Sequence, residues 1–251
     1  MPPVDDAATV ILLRDGPDGP EVFLQRRGAG AAFMAGAYVF PGGKVDDTDR
    51  GMPPGSVADP GADHLPLRVA ALREAFEEAG VLLGTRDGSP IDGRWLASES
   101  ATTARRRLHD RSDPFDWRGW LASEHIVLAT DALALSTRWI TPEAEPRRFD
   151  TWFFRAQAPD DQDADHDDVE MTDSLWLRPA AALEAADRGS VLLVPPTRKN
   201  LEALVPFATT RAAVDDARST GSPEPILPVI EARDDGSVWV SHDSFDPMRV
   251  R

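Results

Sequence analysis

Arg73-Glu74-Ala75-Phe76-Glu77-Glu78-Ala79-Gly80-Val81 is the stretch on which the reading of this 251-residue chain turns. At ~100° per residue, Val69, Leu72 and Phe76 cluster on one face of a helix. Glu74, Glu77 and Glu78 fall on another, at spacings of three, four and one. Like charges at i,i+4 repel on a helix surface. Arg73 can reach Glu77, but one cation does not neutralise three anions. Hard divalent cations would, because Mg²⁺ and Mn²⁺ prefer oxygen ligands and Mg²⁺ combines carboxylates with water and substrate phosphate. A solvated acidic face is the alternative reading of the glutamates taken alone. The helix is expected from about Pro66 to Ala79, with Gly80 as its C-terminal stop.

Upstream lies Phe40-Pro41-Gly42-Gly43-Lys44-Val45-Asp46. A Gly-Gly turn before a helix lets the backbone approach a ligand and turns N–H groups toward an anion. Joined to the glutamate helix, the segment resembles the Nudix box: Gly, five residues, Glu, seven residues, then Arg-Glu-apolar-x-Glu-Glu-x-Gly-apolar. Gly43 matches the first glycine, and Arg73, Glu74, Ala75, Glu77, Glu78, Gly80 and Val81 match the end without a gap. Two departures stand out. Gly43 to Arg73 spans 30 positions where the box expects 14, an interruption of about 16 residues, and Asp49 stands at the intermediate acidic position. The run Gly42–Asp49 is similar to the coenzyme A diphosphatase branch. Phe23-Leu24-Gln25-Arg26-Arg27 and Gly36–Phe40 loosely resemble that branch's extra motif, and the likeness is nearest to peroxisomal members with interrupted boxes.

The resemblance implies an α/β fold, a Nudix-type α/β/α sandwich with a mixed sheet and a loop-helix-loop motif. It implies Glu77 and Glu78 as principal metal ligands, Glu74 as a third ligand or a partner to metal-bound water, and backbone oxygen from the Gly43 region. Arg73 would hold the glutamates in register. The reaction implied is attack of water on phosphorus in a nucleoside-diphosphate-linked small molecule, assisted by Mg²⁺ or Mn²⁺. Glu170 and Glu78 are the candidates for general base. Arg26, Arg27, Arg147 and Arg148 flank expected strands and are candidates to bind substrate phosphates. The substrate reading is coenzyme A or acyl-coenzyme A; ADP-ribose, a dinucleotide and a non-catalytic ligand sensor stay open.

Composition argues against a nucleic-acid partner. Net charge is −16, which repels nucleic acid and would repel a phosphorylated substrate unless cations reverse the field at one site. The chain lacks cysteine, which removes disulfides and thiolate chemistry. No apolar run approaches the ~20 residues of a membrane span, and the start at Met1-Pro2-Pro3 has no secretory pattern. A cytoplasmic protein is expected; a homodimer stays open.

Residues 1–251 read as a single domain, with an insertion at about 46–66 and a helical and strand extension from about 179. The insertion, rich in Pro, Gly and Asp, is expected to be a mobile surface element. Strands are expected at 7–14, 21–27, 38–40, 133–140, 148–156 and 170–177. Two short helices are expected in 99–124, and further helices at 179–188 and 197–218. Asp161-x-Asp163-x-Asp165 lacks the glycine and glutamate of a calcium loop.

Overall fold

A computed structural model describes residues 3–30, 34–110, 112–113, 115–167 and 169–250. Met1 and Pro2, the centre of the glycine- and alanine-rich loop at 31–33, and Asp168 of the acidic stretch lie outside the described residues. In chain order the elements are β1 (Val4–Gly16), β2 (Gly19–Arg27), β3 (Ala37–Val39), β4 (Gly42–Lys44), a 3₁₀ turn (Asp47–Asp49) and α1 (Leu65–Ala79). Then come β5 (Gly84–Arg86), β6 (Ser89–Pro90), α2 (Gly93–Leu96), α3 (Glu99–His109), α4 (Trp117–Ser123) and β7 (Ile126–Leu128). A second 3₁₀ turn (Thr130–Ala132), β8 (Ala134–Ile140), β9 (Arg148–Gln157), β10 (Met171–Leu177), α5 (Pro179–Asp187), β11 (Leu192–Leu193) and α6 (Pro195–Leu204) follow. The chain ends with α7 (Thr210–Thr220), β12 (Pro225–Ile226), β13 (Val229–Ala232), β14 (Val238–His242) and β15 (Phe245–Arg249).

β1 organises the fold because it is apolar on both faces. Ala8, Val10 and Leu12 point into one core with α1, α3 and α4, whereas Ile11 and Leu13 point into a second core with α5, α6 and α7. Strand side chains alternate with period two, so a continuous apolar run demands cover on both sides, and the layered α/β/α arrangement supplies it. β1 runs parallel to β9, from Val4 beside Arg148 to Leu13 beside Gln157, and antiparallel to β2. Among the described residues nine strands join this mixed sheet. β4 pairs antiparallel with β1, Gly43 beside Ala8 and Gly42 beside Thr9, which brings the Gly-Gly segment against the first strand. Two three-stranded sheets flank it, β5–β7 and β13–β15.

Two expectations change. The single helix expected over 197–218 is two helices, α6 and α7, broken across 205–209. Pro206 has no N–H and its ring clashes with the preceding turn, so the helix stops there; the Thr209 hydroxyl then accepts from Ala212 N at 3.2 Å and starts α7. The segment 46–66 is not wholly a surface excursion either. Asp49, Ser56 and Val57 are buried, and Val57 bridges to Leu128, while most of the residues between and after them are exposed.

Candidate active site

α1 carries the three glutamates singled out in the sequence, and its C-terminal end is fixed tightly. Gly80 takes φ 69°, a left-handed conformation suited to glycine, and its N–H donates to Phe76 O at 3.1 Å. Arg105 of α3 covers the last carbonyls, with Nε donating to Glu77 O at 3.0 Å and Nη2 to Glu78 O at 2.9 Å. A cation there complements the negative end of the helix dipole. The helix is buried almost all round: Glu74, Glu77 and Glu78 retain 3%, 2% and 4% of their exposure. A solvated acidic face is therefore excluded, and the three carboxylates need partners.

Arg73 supplies one set. All five of its N–H donors are engaged: Nε and Nη2 clasp Asp49 at 2.9 Å each, and Nη2 also donates to Lys44 O at 2.9 Å. Nη1 divides between Glu74 Oε1 at 2.8 Å and Glu77 Oε2 at 3.0 Å. Burial works against the charge on Arg73, but Glu74, Asp49 and Glu77 outweigh it and hold its pKa well above the ordinary value. Burial raises the Asp49 carboxyl despite the same guanidinium. The aspartate at the box's acidic position is thus the clamp for Arg73, drawn from within the expected insertion.

Glu78 faces differently. Its Oε2 accepts from Gly42 N at 2.9 Å and from the Gln25 side chain. Burial, and next the Glu74 carboxylate, push its pKa well above the usual carboxylate range; Arg27 opposes this and Glu170 adds to it. Gly43 has no room for a side chain, because a Cβ would lie 2.5 Å from Glu74 Oε1. The backbone at Gly43 and the Glu74 carboxylate touch for want of that carbon.

These groups open onto a cavity of about 930 Å³, within the size range of ligand sites. Glu74, Glu77, Glu78, Gly43, Arg27, Arg147, Arg148 and Glu170 all line it. Arg148 is 3% exposed; its Nε donates to Thr141 O at 3.1 Å, while Nη1 is buried without a hydrogen-bond partner. Arg26 does not line the cavity. It adjoins Arg27 on β2, so strand alternation sends it to the other face, exposed and near Tyr38. Glu170 is exposed and stands just ahead of β10.

Sequence reasoning missed four residues. Arg105 and Gln25 hold α1 and Glu78 as described. His109, whose side chain is 8% exposed, has Nε2 3.0 Å from Glu77 O and Nδ1 3.5 Å from Glu77 Oε1. Asp167, whose Oδ1 accepts from the N–H groups of Val169, Glu170 and Met171, presents Oδ2 3.8 Å from the same Nδ1. Gln25 lies in the Phe23–Arg27 stretch quoted above without having been singled out there; the other three carry no local spacing signal and come to α1 from distant elements.

Among the described residues, no three aspartate, glutamate or histidine side chains are already arranged to hold one ion. The fit to a hard cation lies instead in the donor set. Glu74, Glu77 and Asp49 share the buried Arg73, Glu78 lies apart from it with its pKa lifted by burial, and Gly43 leaves a backbone cradle beside Glu74. Oxygen donors short of positive charge suit Mg²⁺-like ions.

Comparison with known proteins gives the family. Residues 54–204, about three-fifths of the chain, match the family model described as the NUDT19 Nudix domain; the chain belongs to the Nudix hydrolase family. Nudix hydrolases generally depend on divalent metal. A putative Nudix hydrolase 7 of Caenorhabditis elegans is 32% identical over 70% of this chain and 52% of its own length. The human acyl-coenzyme A diphosphatase NUDT19 is 29% identical over 76% of this chain and 62% of its own. The chain thus spans about half to three-fifths of these curated relatives. The crystal structure of a Nudix hydrolase from Alicyclobacillus acidocaldarius superposes with a TM-score of 0.73 and 29% identity, covering 86% of this chain and 97% of that one. No described helix is long and apolar enough to cross a membrane.

Proposed function

We propose that this chain hydrolyses the phosphoanhydride of a coenzyme A-type substrate, free or acylated, with Mg²⁺ or Mn²⁺ as its metal. One observation carries the reading. The buried glutamates share a cavity with Arg27, Arg147 and Arg148, and the rest of that cavity is mostly apolar. Such a cavity suits a molecule that joins a diphosphate, a further phosphate and an uncharged arm. Human and chicken relatives bear the name acyl-coenzyme A diphosphatase, which supports the same substrate class.

In this reading Glu77 and Glu78 are the principal metal ligands, with Glu74 a third and backbone oxygen at Gly43 a fourth. The metal, when bound, acidifies water and offsets charge on the phosphoryl oxygens. Arg73 keeps Glu74 and Glu77 in register through Nη1. Arg148 Nη1 offers a desolvated donor to a phosphate oxygen, and such charge-assisted bonds are the strong ones. Arg27 and Arg147 are further phosphate contacts. A water oxygen bonds to phosphorus, the bridging oxygen leaves with the other phosphate, and a carboxylate accepts the water's proton. Glu78 and Glu170, which both line the cavity, are the candidates for that role.

The test is a product assay after exhaustive chelation, with Mg²⁺ or Mn²⁺ restored, over coenzyme A, dephospho-coenzyme A, ADP-ribose and dinucleotides. Turnover should vanish on chelation and return with either metal. Coenzyme A should exceed dephospho-coenzyme A by roughly ten- to hundredfold in kcat/KM, the worth of one charge-assisted bond, and Arg148→Ala should erase the difference. Faster cleavage of ADP-ribose would remove the coenzyme A substrate and leave the family membership intact. Full activity without metal would remove the metal mechanism.

A further inference from the structure

The C-terminal sheet carries an amphipathic pattern that no step above uses. On β13 and β14, Ile230 pairs with Val240 and Ala232 with Val238, so the four side chains share one face. That face lines the cavity. The other face holds Glu231 opposite Trp239, with the Arg233 guanidinium 3.9 Å from the Trp239 ring. A sheet with one aliphatic and one polar face normally packs the aliphatic face onto a core. Here it meets the cavity. The sheet is secured at its far edge, where Phe245 of β15 stacks on Trp139 at 5.7 Å and lies under Lys199 Nζ at 5.3 Å.

Ile140, Pro142 and Phe149, from β8, β9 and their connection, line the same cavity. The cavity's cationic groups, Arg27, Lys44, Arg147 and Arg148, come from β2, β4 and the entry to β9, none from the C-terminal sheet. An adenine ring would want hydrogen-bond partners along its edge, and a pantetheine arm carries two amides that would want the same. The aliphatic face offers neither from its side chains. It suits a chain of methylenes.

We propose that the aliphatic face of the C-terminal sheet, where Ile230, Val238 and Val240 line the cavity together with Ile140 and Phe149, is a subsite for the acyl tail of a thioester substrate and sets its chain-length preference. This rests on the coenzyme A reading above and deepens it. Acetyl-, butyryl-, octanoyl- and free coenzyme A, titrated calorimetrically into chelated enzyme, read binding without turnover. Octanoyl-coenzyme A should bind about ten- to hundredfold more tightly than acetyl-coenzyme A, because each buried methylene adds up to roughly fourfold. The heat capacity of binding should grow more negative along the series, the mark of apolar burial. Val238→Thr, which exchanges a methyl for a hydroxyl at nearly constant volume, and Ile230→Thr, which also shortens the side chain, should each shrink the preference. Equal binding of acetyl and octanoyl thioesters, with coenzyme A still bound, overturns the subsite alone. A preference that survives both substitutions overturns its location on this sheet. Binding of ADP-ribose with none of any coenzyme A species overturns the substrate reading and the subsite together. The wild-type series and its heat capacity decide the matter even where a variant fails to fold.

Discussion

Replacing Arg73 by lysine keeps the positive charge and discards the geometry. Arginine uses five N–H donors here, two on Asp49, two divided between Glu74 and Glu77, and one on Lys44 O. An ammonium has three donors, and they cannot straddle a carboxylate in the plane of a guanidinium. At least two buried bonds between charged or polar groups are lost. At ~1.5–3 kcal/mol for each charge-assisted bond, the loss is ~3–6 kcal/mol, the size expected when a buried pair is broken. Against a total stability of ~5–15 kcal/mol, this is large. Urea unfolding of chelated protein at neutral pH should register it as a lower midpoint at unchanged slope. A double-mutant cycle with Asp49→Asn isolates the clamp and should return a coupling of at least ~1 kcal/mol. A loss below ~1 kcal/mol for Arg73→Lys, or additive effects in the cycle, would refute the claim that Arg73 organises the carboxylates.

Three further expectations concern neighbouring groups. Gly42→Ala and Gly43→Ala should fail differently. The first drives a Cβ to 2.6 Å from the Ala8 backbone oxygen and should lower the melting temperature; the second presses on Glu74 Oε1 and should lower kcat by about tenfold or more with a smaller thermal effect. Glu77→Gln should cost roughly 10²–10³-fold in rate, far more than Glu170→Gln, because Glu77 is buried beside Arg73 and Glu170 is exposed; comparable rates would show the ligands misassigned. Tyr38 is the single tyrosine, and burial, then its bond to Asp173, raise its pKa from 10.0 to about 12. The folded pKa lies above the unfolded one, so the stability this group contributes is present below pH 10 and lost as pH rises toward 12. Tyrosinate absorbance should follow that midpoint in the folded protein and return to about pH 10 in urea; one common midpoint would contradict the burial.

The glutamate helix was legible because its charge pattern conflicts with elementary electrostatics unless something compensates, and that conflict survives without any structure. Its span and its glycine stop were legible for the same local reasons. Asp49 was visible as a position and invisible as a partner, since its contact lies 24 residues away. Arg26 and Arg27 could not be told apart, because adjacent strand residues face opposite sides and the register decides which. His109 and Asp167 reach α1 through tertiary packing alone and leave no spacing to read. The aliphatic wall of the C-terminal sheet escaped notice for another reason: alternating valines and isoleucines read as ordinary strand, whatever they face. The break at Pro206, by contrast, was present in the sequence and simply overridden by the apolar pattern on either side.

The Asp49 clamp also bears on how far such a chain can diverge. It ties together two points 24 residues apart in sequence, so the segment between them is a closed loop whose ends are pinned. Closing a flexible loop costs free energy that grows only with the logarithm of its length, about 0.6 kcal/mol for each doubling. The interruption between Gly43 and Arg73 roughly doubles the distance that the uninterrupted box would span. Its entropic penalty is therefore smaller than the contribution of a single guanidinium bond. New sequence can accumulate at this point, and diversify over generations, without loosening the carboxylates on the other side of the knot.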